Sequence, residues 1–273
     1  MREYSVLMSV YAREKEEYFE QSIDSMLHQT IPPKDFVIVC DGPLTEGLEE
    51  VLERKQEEYP GLFQLVRIKT CGGLGNALAK GITYCKYDLV ARMDSDDISV
   101  PERCEKQLRV FEKRNVSIVG GNITEFEGTT EKQMNRRCVP EKNKEIRTFA
   151  RRRNPFNHPS VMYKKADVLK AGNYRDRKGF EDYDLWVRML KLGQRGYNIQ
   201  ETLVFMRTDA GMYARRGSFS YACQALKARW IIHKTGYSSL LDFLISGVGQ
   251  LVISLVPVKL RAAVYGRLLR KDT

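Results

Sequence analysis

The chain has 273 residues, 42% of them hydrophobic and 10% aromatic, with only nine prolines. That is enough apolar material for one large domain or two small ones with a packed core, which excludes a disordered chain. Formal net charge is +10, yet residues 1–135 carry −7 and residues 136–273 carry +17. A basic half points to an anionic partner (phosphate, nucleic acid or lipid headgroups), with a generically basic surface as the simpler alternative.

The start, "MREYSVLMSVY", lacks the apolar core of a secretory leader and reads as a strand. Six scattered cysteines, at 40, 71, 85, 104, 138 and 223, form no C-x-x-C pair and sit near no histidine at zinc-ligand spacing. They suit a reducing compartment and packing roles, so the chemistry is expected in the cytoplasm.

Two periodicities alternate over the first 126 residues. "YSVLMSVY" (4–11), "DFVIVCD" (35–41), "GLFQLVRI" (61–68), "YDLVARMD" (87–94) and "VSIVGGNITEF" (116–126) read as buried strands. Between them, residues 16–30, 47–59, 74–85 and 101–115 read as helices, the last opening on Pro101 in its first turn. This alternation indicates a parallel sheet wrapped on both sides. Beyond residue 126 the rhythm fades. A turn and strand, a short basic helix in "KNKEIRTFARR", strands at 157–163 and 201–207, and helices at 181–193 and 218–235 are expected.

Open sheets of this class bind ligands at the carboxyl ends of their strands. Asp41 ends the second strand, and Asp94, Asp96 and Asp97 of "RMDSDD" follow the fourth. Carboxylates that close repel one another and raise their own pKa values, so a positive charge belongs among them. A hard cation, Mg²⁺ or Mn²⁺, fits, because it takes few carboxylates and completes its shell with water and a diphosphate. Taken alone, the cluster also fits an Asp-rich turn before the helix at Pro101. "FEDYDLW" (180–186) offers either a general base at the site rim or acidic residues at a helix start.

In this order, with the first-strand stretch "SVLMSVYARE", "HQT" after the first helix and "CDGP" after the second strand, these motifs resemble the family 2 glycosyltransferases. These are inverting GT-A enzymes of bacterial surface polysaccharide synthesis. The similarity runs from about Tyr4 to about Arg216, and includes "DSDDISVPERCEKQ" and "NHPSVMYKKADVLKAGNYR" ahead of "FEDYDLW". It implies an α/β fold with a Rossmann-like mixed sheet flanked by helices. The nucleotide-sugar half would be 1–126, the acceptor half 127–217, and 218–273 a C-terminal helical appendage. Ser9, Tyr11 and Glu14 would line the nucleotide pocket, with Tyr11 against the base and Asp41 accepting from uracil. Asn76 and Lys80 would face the ribose or diphosphate, Asp94 and Asp96 the ribose and metal, and Asp97 would bind the metal directly. Asp182 would be the catalytic base, with Glu181 beside it to orient the acceptor. Two departures stand out: Cys40-Asp41 replaces a frequent pair of aspartates, and Lys80 stands near a common arginine position.

The implied reaction is one in-line displacement from a nucleotide sugar, a UDP-sugar by the resemblance, to an acceptor hydroxyl, with Mn²⁺ or Mg²⁺ steadying the leaving diphosphate. His158 would touch the acceptor or a phosphate, or serve as a packed strand-end residue. Arg207, Arg215 and Arg216, in "FMRTDAGMYARRG", would close over the diphosphate as a flexible loop.

Residues 240–258 are nearly all apolar, and five Lys/Arg follow by 271. Asp242, Gln250, two glycines and Pro257 argue against a clean span. The segment reads as interfacial helices whose basic residues meet anionic lipid, placing the protein on the inner face of the cell membrane. Burial against the catalytic domain, or in a homo-oligomer, is the alternative. A lipid-linked saccharide acceptor suits both the tail and the basic half. All candidate site residues precede Gly217, which makes the tail dispensable for chemistry on a soluble acceptor.

Rival readings fit less. A sugar-phosphate nucleotidyltransferase needs a Gly-rich, Arg-containing loop after the first strand, where "SVYAREKEE" has no glycine. In a dinucleotide dehydrogenase the glycine fingerprint follows the first strand, whereas "GGLGNA" follows the third and lacks the last glycine. A non-enzymatic nucleic-acid or membrane binder would use the basic half but gives no reason for "DSDD" or "FEDYD", so no nucleic-acid partner is expected.

Overall fold

The computed structural model describes residues 2–208 and 219–255. Among the described residues nine strands form one mixed sheet with helices on both faces. In chain order the first part contains β1 (Tyr4–Val10), α1 (Glu16–Leu27), β2 (Asp35–Asp41), α2 (Glu46–Glu58), β3 (Phe63–Ile68), α3 (Leu74–Tyr84), β4 (Leu89–Asp94), a short β5 (Ile98–Ser99), α4 (Arg103–Lys113) and β6 (Ile118–Phe126). Then come β7 (Gln133–Arg137), α5 (Asn143–Phe149), a 3₁₀ turn at His158–Ser160, β8 (Met162–Lys164), α6 (Lys165–Lys170), α7 (Glu181–Lys191) and β9 (Gly196–Arg207). A helical pair, α8 (Phe219–Lys234) and α9 (Leu240–Leu255), completes the described chain.

The order across the sheet is β3-β2-β1-β4-β8-β6-β9-β5, with β7 on β6. Strands β1 to β4 pair in parallel, as the alternating β/α rhythm requires. Beyond β4 the sheet turns mixed, since β8 runs antiparallel to both β4 and β6. Strands from 1–126 and 127–217 therefore interleave in a single sheet.

Side chains alternate across the strands, and the core divides accordingly. Val6, Met8 and Val10 of β1 pack with Phe19, Ile23 and Leu108 under α1, α2 and α4. Leu7 faces the other way, joining Leu78, Ile82, Leu185 and Trp186 under α3 and α7. The expected strand at 157–163 is instead the 3₁₀ turn followed by β8. Pro159 carries no backbone N–H, which favours a turn over ladder pairing there.

Candidate active site

The carboxyl ends of β1, β2 and β4 lie side by side. Ser9 on β1 is level with Asp94 on β4, and Asp41 ends β2. Tyr11, just past β1, is 45% exposed. Glu14 accepts a hydrogen bond from the Ser95 hydroxyl at 2.6 Å, tying the loop after β1 to the acidic loop after β4. The Asp41 carboxylate accepts from the backbone N–H of Gly72 (2.8 Å) and Gly73 (2.9 Å). It thereby fixes the loop ahead of α3, where Gly73 takes the left-handed region at φ +85°. Asn76 donates to the Gly72 carbonyl, and Lys80 stands one turn further along the exposed side of α3.

The acidic loop is held from below by α1. Ser22 donates to the Asp94 carbonyl, Ser25 accepts from the Ser99 N–H, and the Gln29 side chain accepts from the Cys104 N–H at the start of α4. The "HQT" motif thus carries the residue that joins α1 to α4. Asp97 is 1% exposed; its Oδ1 accepts from the Arg207 N–H at 2.9 Å, and its Oδ2 has no hydrogen-bond partner among the described residues. Burial pushes the Asp96 carboxyl up to about 7, with the Asp94 and Glu14 carboxylates adding to the rise. Asp97 is likewise raised well above the carboxylate range, by burial first and then by Asp96 and Asp94.

The positive charge that this cluster calls for is partly built in. Arg92, fully buried on β4, forms an ion pair with Asp94 two residues on, and its Nε and Nη1 have no hydrogen-bond partner among the described residues. Its signal was present in "RMDSDD", since residues two apart share a strand face. The built-in charge leaves the Asp97 Oδ2 unsatisfied and Asp96 and Asp97 still raised. A divalent cation suits such a pair. Among the described residues no cluster of three His, Cys, Asp or Glu side chains surrounds a metal position, but Mg²⁺ and Mn²⁺ need only one or two carboxylates beside a diphosphate.

At the start of α7, three carboxylates point three ways, because each helical residue turns the side chain by about 100°. Asp184 is held by Arg188, with Nε to Oδ2 at 2.9 Å. Glu181 is buried beside Gly75, where an added Cβ would come within 3.3 Å of its own Cβ and 2.5 Å of the Arg175 carbonyl. Asp182 faces a cavity of about 530 Å³, where it accepts from Asn154 Nδ2 at 2.5 Å. Burial raises its carboxyl above the ordinary range, against the pull of the Asn154 hydrogen bond, the Tyr183 N–H and the Arg137 and Arg92 charges. Glu181 lies next to Asp182 in the chain but is buried and is not among the residues that line this cavity.

Asp94 and His158 share the cavity wall with Asp182. His158 lies 3.1 Å from the Tyr174 hydroxyl, and burial holds its imidazole well below the usual range and therefore neutral. Arg207 is not in a flexible loop. It ends β9, where its guanidinium donates to the Asp96 carbonyl, the Gly128 carbonyl and Gln21, and stacks 3.8 Å from the Tyr18 ring centre. Arg215 and Arg216 lie outside the described residues.

The C-terminal pair was not expected at the site, yet it builds one wall. Tyr221 and Arg229 of α8 and Ile245, Ser246, Gly249 and Gln250 of α9 line the same cavity. Arg152 bonds Asp242 at 2.6 Å, and Ile232 packs with Tyr183 and Val187 of α7. The tail thus borders the cavity that Asp182 faces. Tyr11, Asp41, Asn76 and Lys80 lie outside this cavity, on the β1–β2 side of the rim.

Comparison with known proteins gives the family and the fold. The chain is 35% identical over 267 residues to the amylovoran biosynthesis glycosyltransferase AmsE of Erwinia amylovora, covering 96% of this chain and 97% of that one. It is 33% identical over 269 residues to the Escherichia coli UDP-Gal:alpha-D-GlcNAc-diphosphoundecaprenol beta-1,3-galactosyltransferase, covering 98% and 97%. Its fold matches the mannosyltransferase PcManGT of Pyrobaculum calidifontis, solved with GDP-Man and Mn²⁺, at a TM-score of 0.63 and 15% identity over 95% of this chain and 78% of that one. That likeness gives the GT-A architecture. The sequence profile described as "Glycosyl transferase family 2" matches residues 5–183, and with relatives this similar over nearly its whole length the chain belongs to that family.

Proposed function

We propose that the protein is a metal-dependent, inverting glycosyltransferase that moves a sugar from a UDP-sugar to a hydroxyl of a lipid-linked saccharide in surface polysaccharide synthesis. The observation that carries this reading is that Asp94, at the end of β4, and Asp182, at the start of α7, line one cavity. One belongs to the donor rim and the other is the carboxylate free to take a proton. The named activity of the Escherichia coli relative supports both the UDP donor and the lipid diphosphate acceptor.

The chain's own residues divide the work. Ser9, Tyr11, Glu14, Asn76 and Lys80 border the nucleotide, and Asp41 shapes the loop that approaches it. Asp96 and Asp97 would hold the Mn²⁺ or Mg²⁺, with Asp94 toward the ribose. A cation bound there supplies Lewis-acid stabilisation to the leaving diphosphate. Asp182 accepts the acceptor's hydroxyl proton as that oxygen attacks the anomeric carbon, and Asn154 fixes its orientation. A single base suffices because attack and departure occupy opposite faces of one carbon. The protein sits peripherally on the inner membrane surface through residues 240–273, of which 256–273 lie outside the described residues. Among the described residues no helix is long and apolar enough to cross a membrane.

The test is release of nucleoside diphosphate from a panel of nucleotide sugars with Mn²⁺, with and without a lipid-linked saccharide. Activity confined to a UDP-sugar, lost in EDTA and producing the inverted anomer supports the reading. Full activity in EDTA, or a product of retained configuration, removes it.

A further inference from the structure

The basic helix α5 has no role in the transfer chemistry. Lys144, Arg147, Thr148 and Arg151 recur at three- and four-residue spacing, which sets them along one side of α5 and the turn that continues it. That side walls a second cavity, of about 410 Å³, completed by Lys191 at the end of α7 and by Gly236 and Tyr237 between α8 and α9. Four of its lining residues are cationic and none is acidic. Two of the cations are fixed by neutral groups: Arg147 donates to the Leu190 carbonyl and Lys191 to the Thr235 carbonyl. A carbonyl holds a cation in place without cancelling its charge, so the wall stays positive although both side chains are hydrogen-bonded. The acids nearest in sequence are engaged elsewhere. Glu141 accepts from the Tyr197 hydroxyl, and Glu145 from the Lys142 N–H at the start of α5.

A second observation lies beside this pocket. Helix α9 is amphipathic in the inverted sense: Asp242 and Gln250 are buried, whereas Leu240, Leu241, Leu244 and Val248 stay at least half exposed. The two surfaces are joined, because α9 and the turn before it are pinned to the α5 segment. Arg152 bonds Asp242 at 2.6 Å, and the Tyr237 hydroxyl donates to the Arg147 carbonyl at 3.1 Å. Leu240 follows three residues after Tyr237, so the cationic pocket gives onto the apolar helix face. An anionic phospholipid presents the complement of both, a phosphate beside hydrocarbon.

We propose that the pocket between α5, the end of α7 and the α8–α9 turn binds the phosphate headgroup of an anionic phospholipid, with its acyl chains running over Leu240 and Leu241. This rests on the peripheral membrane seat proposed above and adds to it a headgroup site on the catalytic domain itself. A free polyanion would use the cations but leave the apolar face without a purpose. Ile245 lines the cavity that Asp182 faces and is also 46% exposed. With α9 on the leaflet and α5 on its headgroups, that cavity opens beside the bilayer.

Two measurements decide it. In the first, the full chain is cosedimented at low salt with phosphatidylcholine vesicles, with and without phosphatidylglycerol. Lys144→Gln with Arg151→Gln should weaken binding to the phosphatidylglycerol vesicles at least tenfold, at roughly fivefold for each charge removed. Lys34→Gln with Lys69→Gln removes as much charge on the β2–β3 side of the sheet and should change it less than about twofold. All four side chains are exposed, so both pairs should melt with wild type. Equal losses in the two pairs would mean that overall charge drives binding and overturn the proposal. A pocket pair that binds as wild type, beside a Leu241→Ser with Leu244→Ser pair that does not, would remove the headgroup site and leave the membrane seat standing. In the second, soluble dihexanoyl phosphatidylglycerol and inorganic phosphate are each titrated by calorimetry with UDP saturating, so that the donor's own diphosphate position is filled. Lipid binding that weakens at least tenfold in the pocket pair supports the site, whatever sugar the protein transfers. Inorganic phosphate bound as tightly as the lipid would assign the pocket to a free anion and overturn it.

Discussion

The guanidinium of Arg92, fully buried under the sheet rim, is paired with Asp94 two residues further along the same strand face. Two of its nitrogens have no hydrogen-bond partner among the described residues, which makes the charge costly to keep for stability alone. Its place is better understood as a fixed counter-charge for the carboxylates around it. Arg92→Met is therefore expected to leave unfolding free energy within about 1 kcal/mol of wild type, since Asp94 retains solvent access. Sugar transfer should fall at least tenfold. Thermal unfolding beside turnover checks this; a variant that melts early and works normally once folded would contradict it.

Asp182→Asn keeps the side-chain shape and removes the proton acceptor. Transfer should drop by roughly 10²–10⁴-fold with UDP affinity nearly unchanged. Asp184→Asn should behave in the opposite manner, because that carboxylate is the partner of Arg188. Denaturation curves and UDP titrations on the two variants separate the roles.

The pH profile carries a further expectation. Burial raises the Asp182 pKa, and a base acts only when ionised, so kcat/KM should fall as pH drops through a value above the ordinary carboxylate range. Asn154 donates to the ionised form and holds that pKa down. Asn154→Ala should consequently move the acid limb to higher pH, and a limb that stays in place would assign it to another group.

Asp97→Asn preserves an oxygen for the Arg207 N–H while removing the buried charge. Melting temperature should hold or rise, and Mn²⁺-dependent release of UDP should be largely lost. A Mn²⁺ titration showing wild-type maximal rate would move the metal off this residue.

Truncation after Ser238 removes the partners of Arg152 and Arg229 along with one cavity wall. Transfer to a lipid-linked acceptor should be lost, with hydrolysis of the nucleotide sugar retained. Leu241→Ser, Leu244→Ser and Val248→Ser together should reduce cosedimentation with anionic vesicles without that loss of the wall. Liposome pelleting beside the hydrolysis assay reads both.

Much of this was legible in order along the chain. The strands of 1–126 announce themselves by apolar runs between helical repeats, and strand-end aspartates mark the rim, because both depend on local spacing. What depends on non-local pairing was not. Nothing in "NHPSVMY" says that β8 enters between β4 and β6. The spacing of Arg92 and Asp94 puts both on one strand face, but the full burial of Arg92 follows only once its strand is seen to be central. Glu181, Asp182 and Asp184 are equivalent on paper and separate only once the helix turns them toward Gly75, the cavity and Arg188. The apolar tail suggested a surface contact, but its inward residues, Asp242 and Gln250, gave no hint of Arg152 and Arg229 as partners.

The insertion of β8 between β4 and β6 has a consequence for how the molecule can be cut. A fragment ending at residue 126 would leave β4 with an open ladder on one side and β6 with no partner strand. Two unpaired apolar edges invite chains to pair with one another. Completion of the sheet that carries the rim of β1, β2 and β4 is thus tied to synthesis of the second half: the ribosome must deliver β8 and β9 before that rim has a finished sheet to stand on.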